Sequence, residues 1–109
     1  MEFVRVASVA EVPEGEMRAY ELGPARVAVA HVENELFAFA DECTHAGCWL
    51  SEGGLDEAAD TVVCSCHGSA FDLRSGEPVD GPAPDPIAIY PVRSVDGWIE
   101  ILPQATGGA

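Results

Sequence analysis

Two hexapeptides, Cys43-Thr44-His45-Ala46-Gly47-Cys48 and Cys64-Ser65-Cys66-His67-Gly68-Ser69, hold all four cysteines of the chain and two of its three histidines. Eighteen residues separate His45 from Cys64. Thiolates and imidazoles at close spacing are ligands for a borderline or soft metal, so these loops are where function is sought first. The surrounding chain must then be a frame that holds two loops side by side.

That frame reads as antiparallel β-structure. Short runs rich in Val, Phe, Tyr and Ile, separated by turn residues, predict strands at Phe3 to Val6, Met17 to Leu22, Arg26 to Val32, Leu36 to Ala40, Thr61 to Cys64, Ile87 to Val92 and Trp98 to Leu102. Hairpins are expected around Glu33-Asn34-Glu35 and at Asp96-Gly97, since Asp-Gly favours a turn with positive φ. Ser8-Val9-Ala10-Glu11 can cap one short helical turn, limited by Pro13, and no long helix is predicted. Between Asp41 and Pro86 the alternation weakens, and Gly, Pro, Ser and Asp gather around the cysteines, which reads as loops set into the strands. With 109 residues, 48% of them apolar and 22% charged, one folded domain is expected over 1–103, with a metal-binding subdomain at 41–86 and a flexible tail at 104–109.

The chain carries nineteen acids, five arginines and no lysine, for a formal charge of -14. Nucleic acid and anionic membrane are poor partners for such a surface. Ten of the acids and one arginine, Arg74, lie from Asp41 to Asp85, a local net of -9, which reads either as a solvated face or as a docking surface for a basic partner. The N-terminal sequence has no basic start followed by an apolar run, and no apolar stretch approaches membrane-spanning length, so a cytoplasmic protein is expected.

Two metal chemistries compete for two thiolates and two imidazoles. Zinc takes Cys₂His₂ tetrahedrally, usually with a Cys pair on one element and a His pair on another. Here each loop supplies both types, which suits a two-iron cluster with both thiolates on one iron and both imidazoles on the other.

The pattern Cys43-x-His45 with Cys64-x-x-His67 resembles the Rieske [2Fe-2S] proteins, and Ser51-Glu-Gly-Gly, His67 to Pro78 and Gly81-Pro82-Ala83-Pro84 extend the resemblance along the chain. The resemblance implies an all-β fold, a Rieske-type antiparallel β-sandwich with an inserted cluster-binding subdomain. It implies one [2Fe-2S] cluster, with Cys43 and Cys64 on one iron and His45 and His67 on the other. The spacer is slightly long for the family, and the extra length falls in the acidic turn 53–60. Cys48 and Cys66 match a disulfide that ties the loops together in quinol-oxidising members, the alternative being two small buried thiols. Ser69 matches a serine whose hydroxyl donates to a cluster sulfur in those members, against an ordinary turn hydrogen bond. Phe71 stands where they have a tyrosine, and Gly81 and Pro82 would begin a stiff loop over the cluster. His31 is expected to be structural or exposed, and Trp49 and Leu50 to pack or to form a contact rim.

Beyond the four presumed ligands only His31 remains, too few for a 2-His-1-carboxylate iron site, and no Gly-rich nucleotide motif occurs. The resemblance therefore implies a monomeric one-electron carrier rather than an enzyme, a Rieske-type ferredoxin between a flavin-containing NAD(P)H reductase and a terminal oxygenase of the ring-hydroxylating kind. A Rieske subunit of a multisubunit oxidoreductase, of the arsenite-oxidase or quinol-oxidising kind, is the alternative. A zinc-stabilised binding module is the reading from a different class.

Overall fold

The computed structural model describes residues 2–44, 48–66, 68–81 and 85–105. Its strands are β1 (Val4–Ser8), β2 (Met17–Leu22), β3 (Ala25–Val32), β4 (Glu35–Ala40), β5 (Gly54–Asp56), β6 (Thr61–Val63), β7 (Ala70–Asp72), β8 (Pro78–Asp80), β9 (Ile89–Tyr90), β10 (Val92–Val95) and β11 (Trp98–Ile101). They form three antiparallel sheets, in the orders β1-β11-β10, β2-β3-β4-β9 and β5-β6-β7-β8.

Local chemistry sets the turns. Glu33 and Asn34 have φ of 51° and 64°, and Asp96 and Gly97 have 52° and 82°. Both positions of each two-residue loop are thus left-handed, the geometry that matches the twist of a hairpin. Glu35, expected in the first loop, instead opens β4 opposite Val32. Ser8 caps a single 3₁₀ turn, Val9–Glu11, in a reciprocal capping box with Glu11.

The β2-β3-β4-β9 sheet is the middle layer, because β3 and β4 bury both faces. Val27, Val29 and Ala38 point to one side, where Val12, Leu22, Ile99 and Ile101 pack. Ala28, Ala30, Val32, Phe37 and Phe39 point to the other, against Leu50, Val62, Phe71, Leu73 and Ile87. The period of two along β3 and β4 thus sorts their side chains into two cores, and the second core joins the frame to the sheet that carries the cysteine loops.

Two sequence expectations are corrected. The segment 41–86 is more than loops, since it contains the four-stranded β5-β6-β7-β8 sheet. Only β6 was expected, as Thr61 to Cys64; each of these strands has three residues, too few for alternation to register, and Gly54 in β5 and Pro78 in β8 are poor strand formers. The single strand expected over Ile87 to Val92 is two strands, β9 on β4 and β10 on β11. Pro91, with no N–H to donate, lies where the chain passes from one sheet to the other. No described helix is long and apolar enough to cross a membrane.

Candidate metal centre

The two cysteine loops are built alike. The Cys43 amide donates to the Cys48 carbonyl at 2.8 Å, and the Cys64 amide donates to the Ser69 carbonyl at 2.7 Å. In each case a cysteine opens a loop that closes on the residue five positions on. Gly68, at φ 74°, donates back to the Cys64 carbonyl at 3.1 Å and tightens the second loop.

Cys43 and Cys64, at these matching positions, are not disulfide-bonded and are buried, 2% and 1% exposed, and belong to the same apolar cluster. Cys48 and Cys66 form a disulfide across the two loops, with Cα atoms 6.5 Å apart. The sulfurs of Cys48, Cys64 and Cys66 lie within 4.8 Å of one another. With Cys48 and Cys66 bonded to each other, only Cys64 of these three offers a thiol to a metal. Two buried thiols in apolar surroundings at the heads of paired loops fit the thiolate half of a two-iron cluster. His45, His67 and Pro82 lie outside the described residues.

Below the first loop sits Asp41, fully buried. Its carboxylate accepts from Arg26 Nε at 2.6 Å, from the Ser51 amide at 2.7 Å and from the Ser51 hydroxyl at 2.9 Å, while its carbonyl accepts from the Leu50 amide at 2.6 Å. One residue therefore joins both ends of the first loop, and Arg26 on β3 neutralises it. The Arg26 guanidinium also stacks on the exposed Trp49 ring, 4.3 Å from its centroid.

The segment after β8 is held at both ends. Gly81, at φ 84°, lies so close to the second loop that a Cβ there would be 2.5 Å from the Ser69 Cα. Further on, the Asp85 carbonyl accepts from the Thr44 hydroxyl of the first loop at 2.7 Å. Ser69 is buried, Phe71 is a fully buried core residue of β7 paired with Val62 and Pro78, and Leu50 packs in the same core. A Cβ at Gly53 would strike the Val63 carbonyl, so the approach of Ser51-Glu-Gly-Gly to β6 requires glycine.

Arg74, the sole cation between Asp41 and Asp85, clasps the cysteine-bearing sheet to the frame. It makes a bidentate pair with Glu35 at 2.7 and 2.9 Å and stacks on Phe37 at 5.1 Å. Its hydrogen bonds hold the Glu35 carboxyl below its ordinary pKa and push its own upward. The Asp72 carboxyl is lowered chiefly by the Ser75 amide and also by that of Arg74, against an opposing effect of burial. His31 is remote from this centre and hydrogen-bonds the Val12 carbonyl through Nδ1 at 2.8 Å.

Sequence reasoning missed Arg26, Asp41, Thr44, Ser51 and Asp85 as supports of the loops. Asp41 and Arg26 are fifteen residues apart, and Thr44 and Asp85 forty-one, so no local spacing marks either pair. Ser51 alone carried a signal, in the Ser-Glu-Gly-Gly stretch.

The family described as Rieske [2Fe-2S] domain matches residues 2–91. The 3-phenylpropionate/cinnamic acid dioxygenase ferredoxin subunit of Photorhabdus laumondii is 42% identical over 96 residues, 88% of this chain and 90% of that one. The ferredoxin of carbazole 1,9a-dioxygenase from Nocardioides aromaticivorans IC177 superposes with a TM-score of 0.91 at 26% identity, covering 95% of this chain and all of that one. A chain from a complex of reduced oxygenase and oxidised ferredoxin in carbazole 1,9a-dioxygenase matches with a TM-score of 0.87 at 30% identity over 95% of both. The chain belongs to the Rieske [2Fe-2S] domain family and is a ferredoxin-type member of it, an electron carrier rather than a catalyst.

Proposed function

We propose that this ferredoxin serves an aromatic-ring dioxygenase, taking single electrons from a flavin-containing NAD(P)H reductase and passing them to the terminal oxygenase. Cys43 and Cys64 would hold one iron, and His45 and His67 the other. The observation that carries the ligand reading is the pair of buried cysteines outside the disulfide, opening two loops closed by the same hydrogen bond. The dioxygenase systems named for the relatives support the choice of partners.

The bound cluster supplies a site that gains and loses one electron, at potentials of about -150 to +300 mV for Rieske centres. The chain's own part is to hold that site stiffly and dry on its inner side. Asp41 fixes the first loop, the hydrogen bonds of Cys64, Gly68 and Ser69 fix the second, and the disulfide keeps them together. Little reorganisation on electron transfer follows from such a frame. The acidic charge of segment 41–85 steers a basic partner while opposing the added electron. We read the protein as a cytoplasmic monomer, a single domain over 1–103 with its cluster subdomain at 41–86.

The test is a reconstituted chain with a flavoprotein reductase and a terminal oxygenase of this kind. NAD(P)H must reduce the protein, and the oxygenase with its aromatic substrate must reoxidise it within catalytic turnover. A protein reduced by the reductase but never reoxidised by an oxygenase overturns the assignment. The Cys48–Cys66 disulfide favours one second reading, a Rieske subunit of a larger oxidoreductase, which stable co-purification with a catalytic subunit would establish.

A further inference from the structure

The sulfurs of Cys48, Cys64 and Cys66 come within 4.8 Å of one another, although only Cys64 belongs to the proposed cluster ligands. We propose that opening the Cys48–Cys66 disulfide creates a three-thiolate site at Cys48, Cys64 and Cys66 for a thiophilic d¹⁰ metal ion such as Zn²⁺, exclusive of the cluster because both need Cys64.

Three thiolates on a tetrahedral zinc, each at about 2.3 Å, stand roughly 3.8 Å apart. The Cys48 and Cys66 sulfurs, bonded in the closed form, must part by about 2 Å once the disulfide opens, and Cys64 must draw in by no more than about 1 Å, shifts within the reach of side-chain rotation. Cys64 and Cys66 flank one residue, Ser65, on the second loop, and Cys48 approaches from the end of the first, so the site draws on both loops. Cys66 is exposed and Cys48 half-buried, which gives reductant and metal a route in, while Cys64 supplies a buried inner ligand. The net charge of -9 over the surrounding segment favours a cation.

The chemistry balances with a dithiol as reductant. It gives two electrons and two protons, its own sulfurs join, the Cys48–Cys66 bond breaks, and each sulfur leaves as a thiol. Metal binding then displaces the thiol protons. The closed disulfide thereby reserves Cys64 for iron, and the reduced chain loses that protection. The exclusion rests on the ligand reading above, whereas the three-thiolate site stands on the sulfur positions alone.

The experiment is an alkylation footprint on the full-length, cluster-free chain, opened with a phosphine that becomes phosphine oxide and then given Cd²⁺ as a zinc stand-in. Mass spectrometry follows each cysteine with and without the metal. Cd²⁺ is expected to slow alkylation of Cys48, Cys64 and Cys66 at least tenfold and to leave Cys43 unchanged. Protection of Cys43 and Cys64 with Cys48 and Cys66 still reactive would mean that the metal occupies the cluster ligands, and overturns the proposal, as does protection of none. Failure of the ligand reading would show separately, as full iron and sulfide content in the Cys43→Ser protein, because Cys43 has no part in the three-thiolate site.

Discussion

Arg26 Nε donates to the Asp41 carboxylate at 2.6 Å, and Asp41 is fully buried directly ahead of the first cysteine loop. A buried carboxylate is stable only when its oxygens are occupied, and here a guanidinium and Ser51 occupy them. Asp41→Ala strands both donors and frees the loop. It is expected to cost about 2–4 kcal/mol in urea unfolding, with Asp41→Asn losing less. An Asp41→Ala protein as stable as the parent would mean that Asp41 does not brace the loop.

Gly81 and Gly97 separate crowding from backbone strain, because their φ values are nearly equal, 84° and 82°. A Cβ at Gly97 meets open space, whereas one at Gly81 meets the Ser69 backbone. Gly97→Ala should cost about 1 kcal/mol, and Gly81→Ala roughly 1–3 kcal/mol more, through displacement of the second loop. Thermal unfolding of the two variants gives the comparison, and equal losses would contradict the close contact.

Much of the frame was legible in the sequence. β2, β3 and β4 have six to eight residues, long enough for apolar patterning to show, and the Asn34 and Gly97 turns carry their own chemistry. Of the three-residue strands only β6 was legible, as Thr61 to Cys64; β5, β7 and β8 were not, since their pairing is decided by the core around Phe71 and Val62 rather than by propensity. The cysteine pattern pointed to the two loops, which the structure brings together through Cys48 and Cys66, but the supports of those loops come from distant segments: Arg26 from β3, and Asp85 beyond β8.

Disulfide opening is the third prediction. A Cys48→Ser, Cys66→Ser double variant should still bind a cluster while losing roughly 2–4 kcal/mol of stability, because the crosslink limits the unfolded chain. Loss of iron as complete as in Cys64→Ser would show that the pair does more than hold the loops.

Acid should loosen the clasp between the sheets. The Glu35 and Asp72 carboxyls titrate below their ordinary values in the folded chain, so the unfolded chain binds protons first as pH falls. Their contribution is full at neutral pH, and it fades below about pH 4 as the carboxyls protonate. The unfolding temperature, followed downward from about pH 6, should fall most steeply there, and Arg74→Met should flatten that fall. An unchanged profile in Arg74→Met would remove Glu35 from the account.

Charge steering gives the fifth prediction. With a net of -9 over residues 41–85, the bimolecular rate of electron transfer to a basic partner should drop several-fold as salt rises from about 0.05 to 0.5 M. A rate indifferent to salt would leave the acids a role in solubility alone.

The ligand set is the central claim, and pulsed electron paramagnetic resonance of the reduced protein with ¹⁵N-labelled histidine tests it most directly. The account predicts hyperfine coupling from two histidine nitrogens on one iron, those of His45 and His67, with loss of the signal in His67→Ala. A reduced cluster with no histidine nitrogen coupling would contradict it.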